Sequence, residues 1–309
     1  MSKQITGIHV FEKREDNKWN EYSFAVQLLS ILSWKKFHGR IVLYTNEEHL
    51  EDLRERGIDK YYDAIDTETL KRCPDMDKSK YWAFGKIYVA SKQTEPFVLV
   101  DTDLWIDAPL NFNESLAVQG FHFESFDVNF PLNRYLDFDN SLPTKWIGRW
   151  RKDLMPLNCA ILFLNNQRLI KEWYECALEI AQQPNQIEVD KAVSSYYMTF
   201  VEQRLLPMIA YEMGMPCGSI TSLIYLTYAT EFNGDEWYPH LKDITNDEYE
   251  IFSKIKHIWG IKSDIVNSED VKNLVFQSVE ASYNKYEESI NHLKLLDPWK
   301  ESSQILTNQ

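Results

Sequence analysis

The sequence predicts an α/β fold: a mixed or mostly parallel central sheet, flanked by helices and continued by a helical C-terminal extension. Three observations predict it. Short β-branched or aromatic runs alternate with longer helical segments through the first third of the chain. Two segments, 97–100 (FVLV) and 159–164 (CAILFL), are apolar throughout, as strands covered on both faces are. No repeat, low-complexity tract or Gly/Ser/Pro-rich linker divides the chain. With 309 residues, 44% of them hydrophobic, there is enough apolar material for a large core, which excludes general disorder.

The elements follow in order. Residues 5–11 read as a strand and 19–37 as a helix. Residues 40–44 (RIVLY) form a short apolar strand, and 47–56 a charged helix that Gly57 stops. Residues 61–65 read as a further strand, 79–92 as a helix and 97–100 as a compact buried strand. This strand–helix alternation implies parallel strands joined by right-handed crossovers. Beyond it, 159–164 is a strong buried strand, and 167–182 and 189–213 are helical, the second interrupted or kinked at Pro207. Residues 221–228 are aromatic and β-branched, as a strand would be, and 268–296 is a long helical region. Residues 125–156 show no period and are rich in Asp, Asn, Trp and Arg, the pattern of a long loop that is functional or mobile. Two units are expected: a main α/β domain over 1–265 and a helical extension over 266–309.

Charge narrows the partners. Lys plus Arg total 33 against 47 Asp plus Glu, a net charge of −14. That field opposes nucleic acid and acidic membranes. It permits a phosphorylated small ligand if a metal or a local basic group supplies positive charge. Cys73, Cys159, Cys176 and Cys217 are scattered and form no CxxC pair, so reduced thiols are expected rather than a zinc site or a disulfide framework. No apolar run approaches the ~18 residues of a membrane span, and the first residues lack the apolar core of a secretion signal. A cytoplasmic location is the expectation.

The segment 97–107 (FVLVDTDLWID) carries the most chemical information. Asp101 and Asp103 directly follow the apolar strand, where a doubly wound sheet binds its ligands. Residues i and i+2 of an extended chain point the same way, so the carboxylates are expected to converge. Two such groups repel unless a cation lies between them, and a hard divalent ion fits. A solvated strand end or a helix cap produces the same letters. Farther on, His257-Ile-Trp-Gly260-Ile-Lys262 offers an imidazole for an oxygen-rich site, a glycine permitting close backbone approach to phosphate, and a cation for diphosphate charge. Lys86, in the helix before the Asp101 strand, is either a group facing the ligand or a solvated lysine. Trp146, Trp150, Trp237 and Tyr238 suit sugar stacking, and the basic stretch 145–152 (KWIGRWRK) suits a nucleic acid or, better given the overall charge, an anionic or sugar acceptor, as well as a plain exposed loop.

Taken together, strand–Asp101-Thr102-Asp103, Asn158 before a strand closing on Asn165, Glu202-Gln203 in a helix, and His257-x-x-Gly260-x-Lys262 resemble a GT-A glycosyltransferase. The pattern is most similar to the retaining family 8 enzymes, the galactosyltransferase and glycogenin-like group. The resemblance covers roughly residues 5–265. It departs from the family's HxxGxxK by one residue fewer before Lys262, and Ser263-Asp264 stand where Pro-Trp is usual. It implies a GT-A-like, Rossmann-like fold and transfer of a sugar from a nucleoside-diphosphate sugar, UDP-sugar as the expected donor, to a hydroxyl acceptor such as a glycan. It further implies Mn2+ or Mg2+ held by Asp101, Asp103 and His257. Lys86, Asp101, Thr102, Gly260 and Lys262 would contact the donor, and Asp103, Asn158 and Gln203 would serve catalysis and sugar positioning.

Other readings stay open. A haloacid-dehalogenase-type phosphohydrolase also places DxD after an apolar strand, with Asp101 as nucleophile, but Trp105 stands where Thr or Val is usual. A sugar nucleotidyltransferase expects a glycine-rich loop after the first strand, and residues 11–15 (FEKRE) contain no glycine. A non-catalytic sugar- or nucleotide-binding scaffold has the same motifs.

Overall fold

The computed structural model describes residues 5–13, 21–124, 151, 154–183, 195–221, 224–225, 254–257, 277, 279 and 281–282. Its first strand, β1 (Thr6–Phe11), leads into helix α1 (Glu21–His38), β2 (Ile41–Thr45), helix α2 (Glu47–Glu55) and β3 (Ala64–Asp66). Helix α3 (Phe84–Ala90) precedes β4 (Phe97–Val100), β5 (Leu104–Ile106), β6 (Val118–Gly120) and β7 (Phe123–Glu124). Then come β8 (Ile161–Leu164), α4 (Gln167–Ala181), α5 (Ser195–Thr199), a π-helical turn (Phe200–Arg204) and α6 (Leu205–Glu212). Strands β9 (Cys217–Ser219), β10 (Ile224–Tyr225) and β11 (Ile255–His257) follow.

Seven strands form one sheet in the order β3-β2-β1-β4-β8-β6-β9. All its pairs are parallel except the two made by β8, with β4 and with β6. The fold is therefore mixed α/β with a mostly parallel central sheet flanked by helices. Two short ribbons stand beside the sheet, β7 with β10 and β5 with β11.

The all-apolar strands are explained by the two faces they cover. In β4, Phe97 and Leu99 enter the core under α3 and α4, while Val98 and Val100 enter the core against α1 and β5. Strand β8 divides the same way, Leu162 and Leu164 to one side and Ile161 and Phe163 to the other. Side chains of this size contribute about 1.5–3 kcal/mol each when fully buried. Helix α4 begins at Asn166, whose Oδ1 accepts the Leu169 N–H at 3.0 Å. Its buried Leu169, Ile170, Trp173, Cys176, Ala177 and Ile180 fall on one helical stripe. Gly57, at φ 62°, follows the charged helix α2 in the left-handed conformation that ends it.

Several boundaries differ from the sequence reading. The helix expected over 79–92 begins only at Phe84, because Asp77 captures the preceding turn. Its Oδ1 accepts from the Ser79 N–H at 3.0 Å, and its carbonyl accepts from the Tyr81 N–H at 2.9 Å. Trp82 is thus outside the helix and exposed. The strand expected over 61–65 is displaced to Ala64–Asp66 by a 3-10 turn at Asp59–Tyr61. Only Ile224–Tyr225 of the strand expected over 221–228 is a strand here; 222–223 and 226–228 lie outside the described residues. Most of 125–156 and 268–296 also lies outside them. In the latter, Val279 is buried in the core against α1, and Ser282 accepts the Trp105 Nε1–H at 3.1 Å. Among the described residues no helix is long and apolar enough to cross a membrane.

A chain of buried polar groups runs behind β1. Gln27 Nε2 donates to the Tyr62 hydroxyl at 2.9 Å, so the Tyr62 proton is directed at His9 Nδ1, 2.7 Å away. The His9 proton is then on Nε2, facing Ser30 Oγ at 3.0 Å, and Ser30 donates to the Asp101 carbonyl at 3.4 Å. His49 Nε2 donates to Gln27 Oε1 at 3.2 Å at the far end. Burial keeps His9 and His49 neutral, each held down to about 3.

Candidate metal and ligand site

The site begins where β4 ends. The Asp101 N–H donates to the Ala160 carbonyl at 2.8 Å, closing the pairing of β4 with β8. The chain then turns at Thr102 and Asp103 before entering buried β5. The carboxylates were expected to converge through strand alternation; the turn brings them together instead. Strand β11 pairs antiparallel with β5, placing His257 opposite Leu104 and beside Asp103. A histidine 154 positions from Asp103 thereby reaches the motif.

The His257 Nε2 lies 3.5 Å from Asp103 Oδ1 and 3.9 Å from Asp101 Oδ2. One ligand atom from each of the three residues lies within 4.8 Å of the others. The Nε2 is buried and makes no hydrogen bond among the described residues. Buried polar atoms are nearly always satisfied, so such an atom aimed at two carboxylates is informative. Two hard oxygens and an imidazole fit a divalent ion of the Mn2+ or Mg2+ kind, with positions left for a ligand.

Behind the motif, the other oxygen of Asp101 is already engaged. Lys86 Nζ, from α3, donates to Asp101 Oδ1 at 2.7 Å and to Glu202 Oε1 at 2.6 Å. Lys86 thus faces the acidic cluster rather than solvent. Burial disfavours its charge, but Asp101 and Glu202 together push its pKa well above the usual lysine value. Burial raises the Glu202 carboxyl while Lys86 opposes the rise.

Glu202 and Gln203 are presented by the π-helical turn. An interruption or kink was expected at Pro207; the helix instead runs through it over Leu205–Glu212, and the irregular turn lies just before. Proline has no N–H for the Gln203 carbonyl four residues back. That carbonyl accepts from the Leu157 N–H at 2.9 Å, while the neighbouring Val201 carbonyl accepts from Trp173 Nε1 at 2.8 Å. Helix carbonyls released by the irregular turn therefore fasten the segment that leads to Asn158. π-Turns of this kind are frequent at functional sites. The Gln203 Oε1 is buried and has no hydrogen-bond partner among the described residues.

Asn158 is held on both sides. Its N–H donates to the His122 carbonyl at 2.9 Å, and its carbonyl accepts from the Phe121 N–H at 3.0 Å. Its Oδ1 accepts from the Ala160 N–H at 3.0 Å, which leaves Nδ2 to donate to Glu124 Oε1 at 2.9 Å. The close approach depends on Gly120: a Cβ there would meet Leu157 Cγ at 2.4 Å and the Asn158 carbonyl at 2.7 Å. Burial raises the Glu124 carboxyl, with Asn158 opposing. Burial also holds His122 down to about 3, and nearby His257 adds to that.

The structure therefore brings Asp101, Asp103, His257, Lys86 and Glu202 together, with Thr102 half-buried in the turn between the two aspartates. Asn158 and Gln203 flank the group on segments joined by the Leu157–Gln203 bond. Gly260 and Lys262 lie outside the described residues, as do Trp146, Trp150, Trp237, Tyr238 and all of 145–152 except Arg151. Sequence reasoning missed Glu124 and His122. Their one signal is a pair of ionisable residues alternating with the aromatics of Phe121-His122-Phe123-Glu124.

Searching curated proteins found no match. Two solved structures are similar in part. Mouse xyloside xylosyltransferase 1, in its apo form, is 11% identical with a TM-score of 0.40, covering 82% of this chain and 96% of that one. The galactosyltransferase LgtC, in complex with donor and acceptor sugar analogs, is 11% identical with a TM-score of 0.36, covering 70% of this chain and 73% of that one. The model of DUF6734, described as a family of unknown function, matches residues 12–293, and the chain belongs to that family.

Proposed function

We propose that this protein is a metal-dependent glycosyltransferase that moves a sugar from a nucleoside-diphosphate sugar to a hydroxyl acceptor. The observation that carries the reading is the convergence of Asp101, Asp103 and His257, with a buried His257 Nε2 that faces both carboxylates and makes no hydrogen bond among the described residues. These residues would hold Mn2+ or Mg2+, and the imidazole favours manganese. The ion would stabilise charge developing on the leaving diphosphate.

The chain's own groups supply the rest. Asn158, locked by three hydrogen bonds besides the one to Glu124, would present a fixed amide to the transferred sugar or the acceptor. Gln203 would offer its Oε1 to a hydroxyl of the same ligand. Thr102 in the turn, with Gly260 and Lys262 beyond His257, would meet the diphosphate. No acid–base pair directed at an acceptor stands out among the described residues, which supports a retaining, front-face transfer with the departing phosphate taking the acceptor proton. UDP is the expected nucleotide and a glycan the expected acceptor.

Thermal unfolding with a panel of nucleoside diphosphates, with and without Mn2+, tests the reading, because a ligand that binds the native state raises its stability. A metal-dependent rise with UDP is the expected result, together with slow release of UDP from the matching UDP-sugar. Phosphomonoester hydrolysis that disappears in Asp101→Asn would instead make Asp101 a nucleophile and overturn the assignment.

A further inference from the structure

Lys86 occupies an unusual place for a cation beside a candidate metal site. Its ammonium bonds the same carboxylate that an ion would need, at 2.7 Å from Asp101 Oδ1, and shares itself with Glu202 at 2.6 Å. The side chain of Lys86 is only 12% exposed and that of Glu202 11%. Charges this sheltered are weakly screened by salt and solvent. We propose that Lys86 is a resident counter-cation that makes divalent-metal binding at Asp101, Asp103 and His257 conditional on the diphosphate of the donor. The proposal rests on the metal-dependent transferase reading.

The argument is electrostatic. Without an ion, Lys86 offsets the repulsion among Asp101, Asp103 and Glu202, which is what allows three acidic groups to lie so close. A divalent ion arriving at the free Asp101 Oδ2 meets a second cation on the same carboxylate, and the two repel. Glu202 moderates this repulsion because it draws on the ammonium from the other side. A diphosphate brings negative charge to the cluster and relieves it further. Metal alone therefore binds weakly, metal with diphosphate binds tightly, and each ligand raises the affinity of the other by the same factor.

The two partners make opposite predictions, which a merely structural role would not. Removing the Lys86 charge favours the ion; removing the Glu202 charge disfavours it. Titration calorimetry with Mn2+ alone and with UDP present, on wild type, Lys86→Met, Glu202→Gln and the double variant, reads this directly. In wild type, UDP is expected to tighten Mn2+ by at least about tenfold. Lys86→Met should tighten Mn2+ alone by on the order of tenfold and shrink the UDP effect. Glu202→Gln should weaken Mn2+ alone by on the order of tenfold, and the double variant should return to within about threefold of wild type.

If Lys86→Met weakens Mn2+ or leaves it unchanged, the proposal is overturned. Should that variant not fold, the near-isosteric Glu202→Gln decides: unchanged or tighter Mn2+ binding overturns the idea. Failure of wild type to bind Mn2+ in the presence of any nucleoside diphosphate removes the transferase reading and this proposal together. Cooperative Mn2+ and UDP binding with no effect of Lys86→Met removes the proposal alone.

Discussion

The candidate metal cluster and the polar chain behind β1 are built from similar groups, yet they differ in what their imidazoles face. Behind β1, His49, Gln27, Tyr62, His9 and Ser30 hand a hydrogen bond from each to the next, ending on the Asp101 carbonyl. At the front, His257 Nε2 is equally hidden but faces two carboxylates with no hydrogen bond among the described residues. His9, bonded at both ring nitrogens, specifies a core; an imidazole nitrogen facing carboxylates without a hydrogen bond among the described residues is placed to take a ligand.

The largest expected effects break the front cluster. Asp101→Ala and Asp103→Ala should each lower Mn2+-dependent UDP affinity by more than about a hundredfold, the loss of one anionic ligand from a three-residue set. Calorimetry measures this, and circular dichroism should show an unchanged fold. Unchanged affinity in both variants would remove the metal site from consideration.

Acid breaks the rear chain instead. His9 and His49 are each lowered to about 3, chiefly by burial, from an unfolded value of 6.5. Between those values the unfolded chain binds protons that the folded protein refuses. Stability is therefore complete above pH 6.5 and falls as pH drops towards 3, by about 1.4 kcal/mol per pH unit for each such histidine. Urea unfolding at pH 7, 6 and 5 should show the decline. Flat stability across that range would mean these imidazoles are not held neutral.

Much of this contrast was legible beforehand, for physical reasons. Two-faced burial leaves an all-apolar signature, so FVLV and CAILFL announced β4 and β8 and placed Asp101 at a sheet edge. Turns and pairings leave weaker marks. Nothing local tells that 102–103 turn, that β11 pairs with β5, or that Asp77 delays helix α3. Lys86 was ambiguous because its helix face is set by tertiary contact, and its partner Glu202 lies 116 positions away. Glu124 was silent because its burial depends on the return of Pro156 and Leu157 beside it. The buried polar chain was equally silent: His9, Gln27 and Tyr62 meet only in three dimensions.

A moderate effect sharpens the comparison from the rear. His9→Phe takes the acceptor from the Tyr62 hydroxyl proton, at about 1–3 kcal/mol, while the Tyr62 oxygen keeps its bond from Gln27 and Ser30 keeps its bond to the Asp101 carbonyl. Its link to the front is a single 3.4 Å bond to a backbone carbonyl. Unfolding should show the stability loss, while Mn2+–UDP affinity at 25 °C stays within about threefold of wild type. A large drop in affinity would mean that the rear chain holds the carboxylates in place.

The smallest expected effect lies inside the motif itself. Thr102 stands between the two aspartates, but its carboxylate neighbours, not its side chain, belong to the ligand cluster. Its backbone makes the turn that replaces strand alternation, and alanine can adopt the same turn. Thr102→Ala should therefore leave binding of Mn2+ alone within about twofold, the range of an independent surface site. Under the proposed function the hydroxyl would hydrogen-bond the donor diphosphate, worth about 0.5–1.5 kcal/mol when partly exposed. That predicts a loss of roughly threefold to tenfold for UDP in the presence of Mn2+. Measuring both affinities separates the two roles. Equal weakening of Mn2+ alone and of UDP would assign the hydroxyl to the turn geometry. Unchanged UDP affinity would remove Thr102 from the donor contacts and leave the aspartates as the whole of the motif's function.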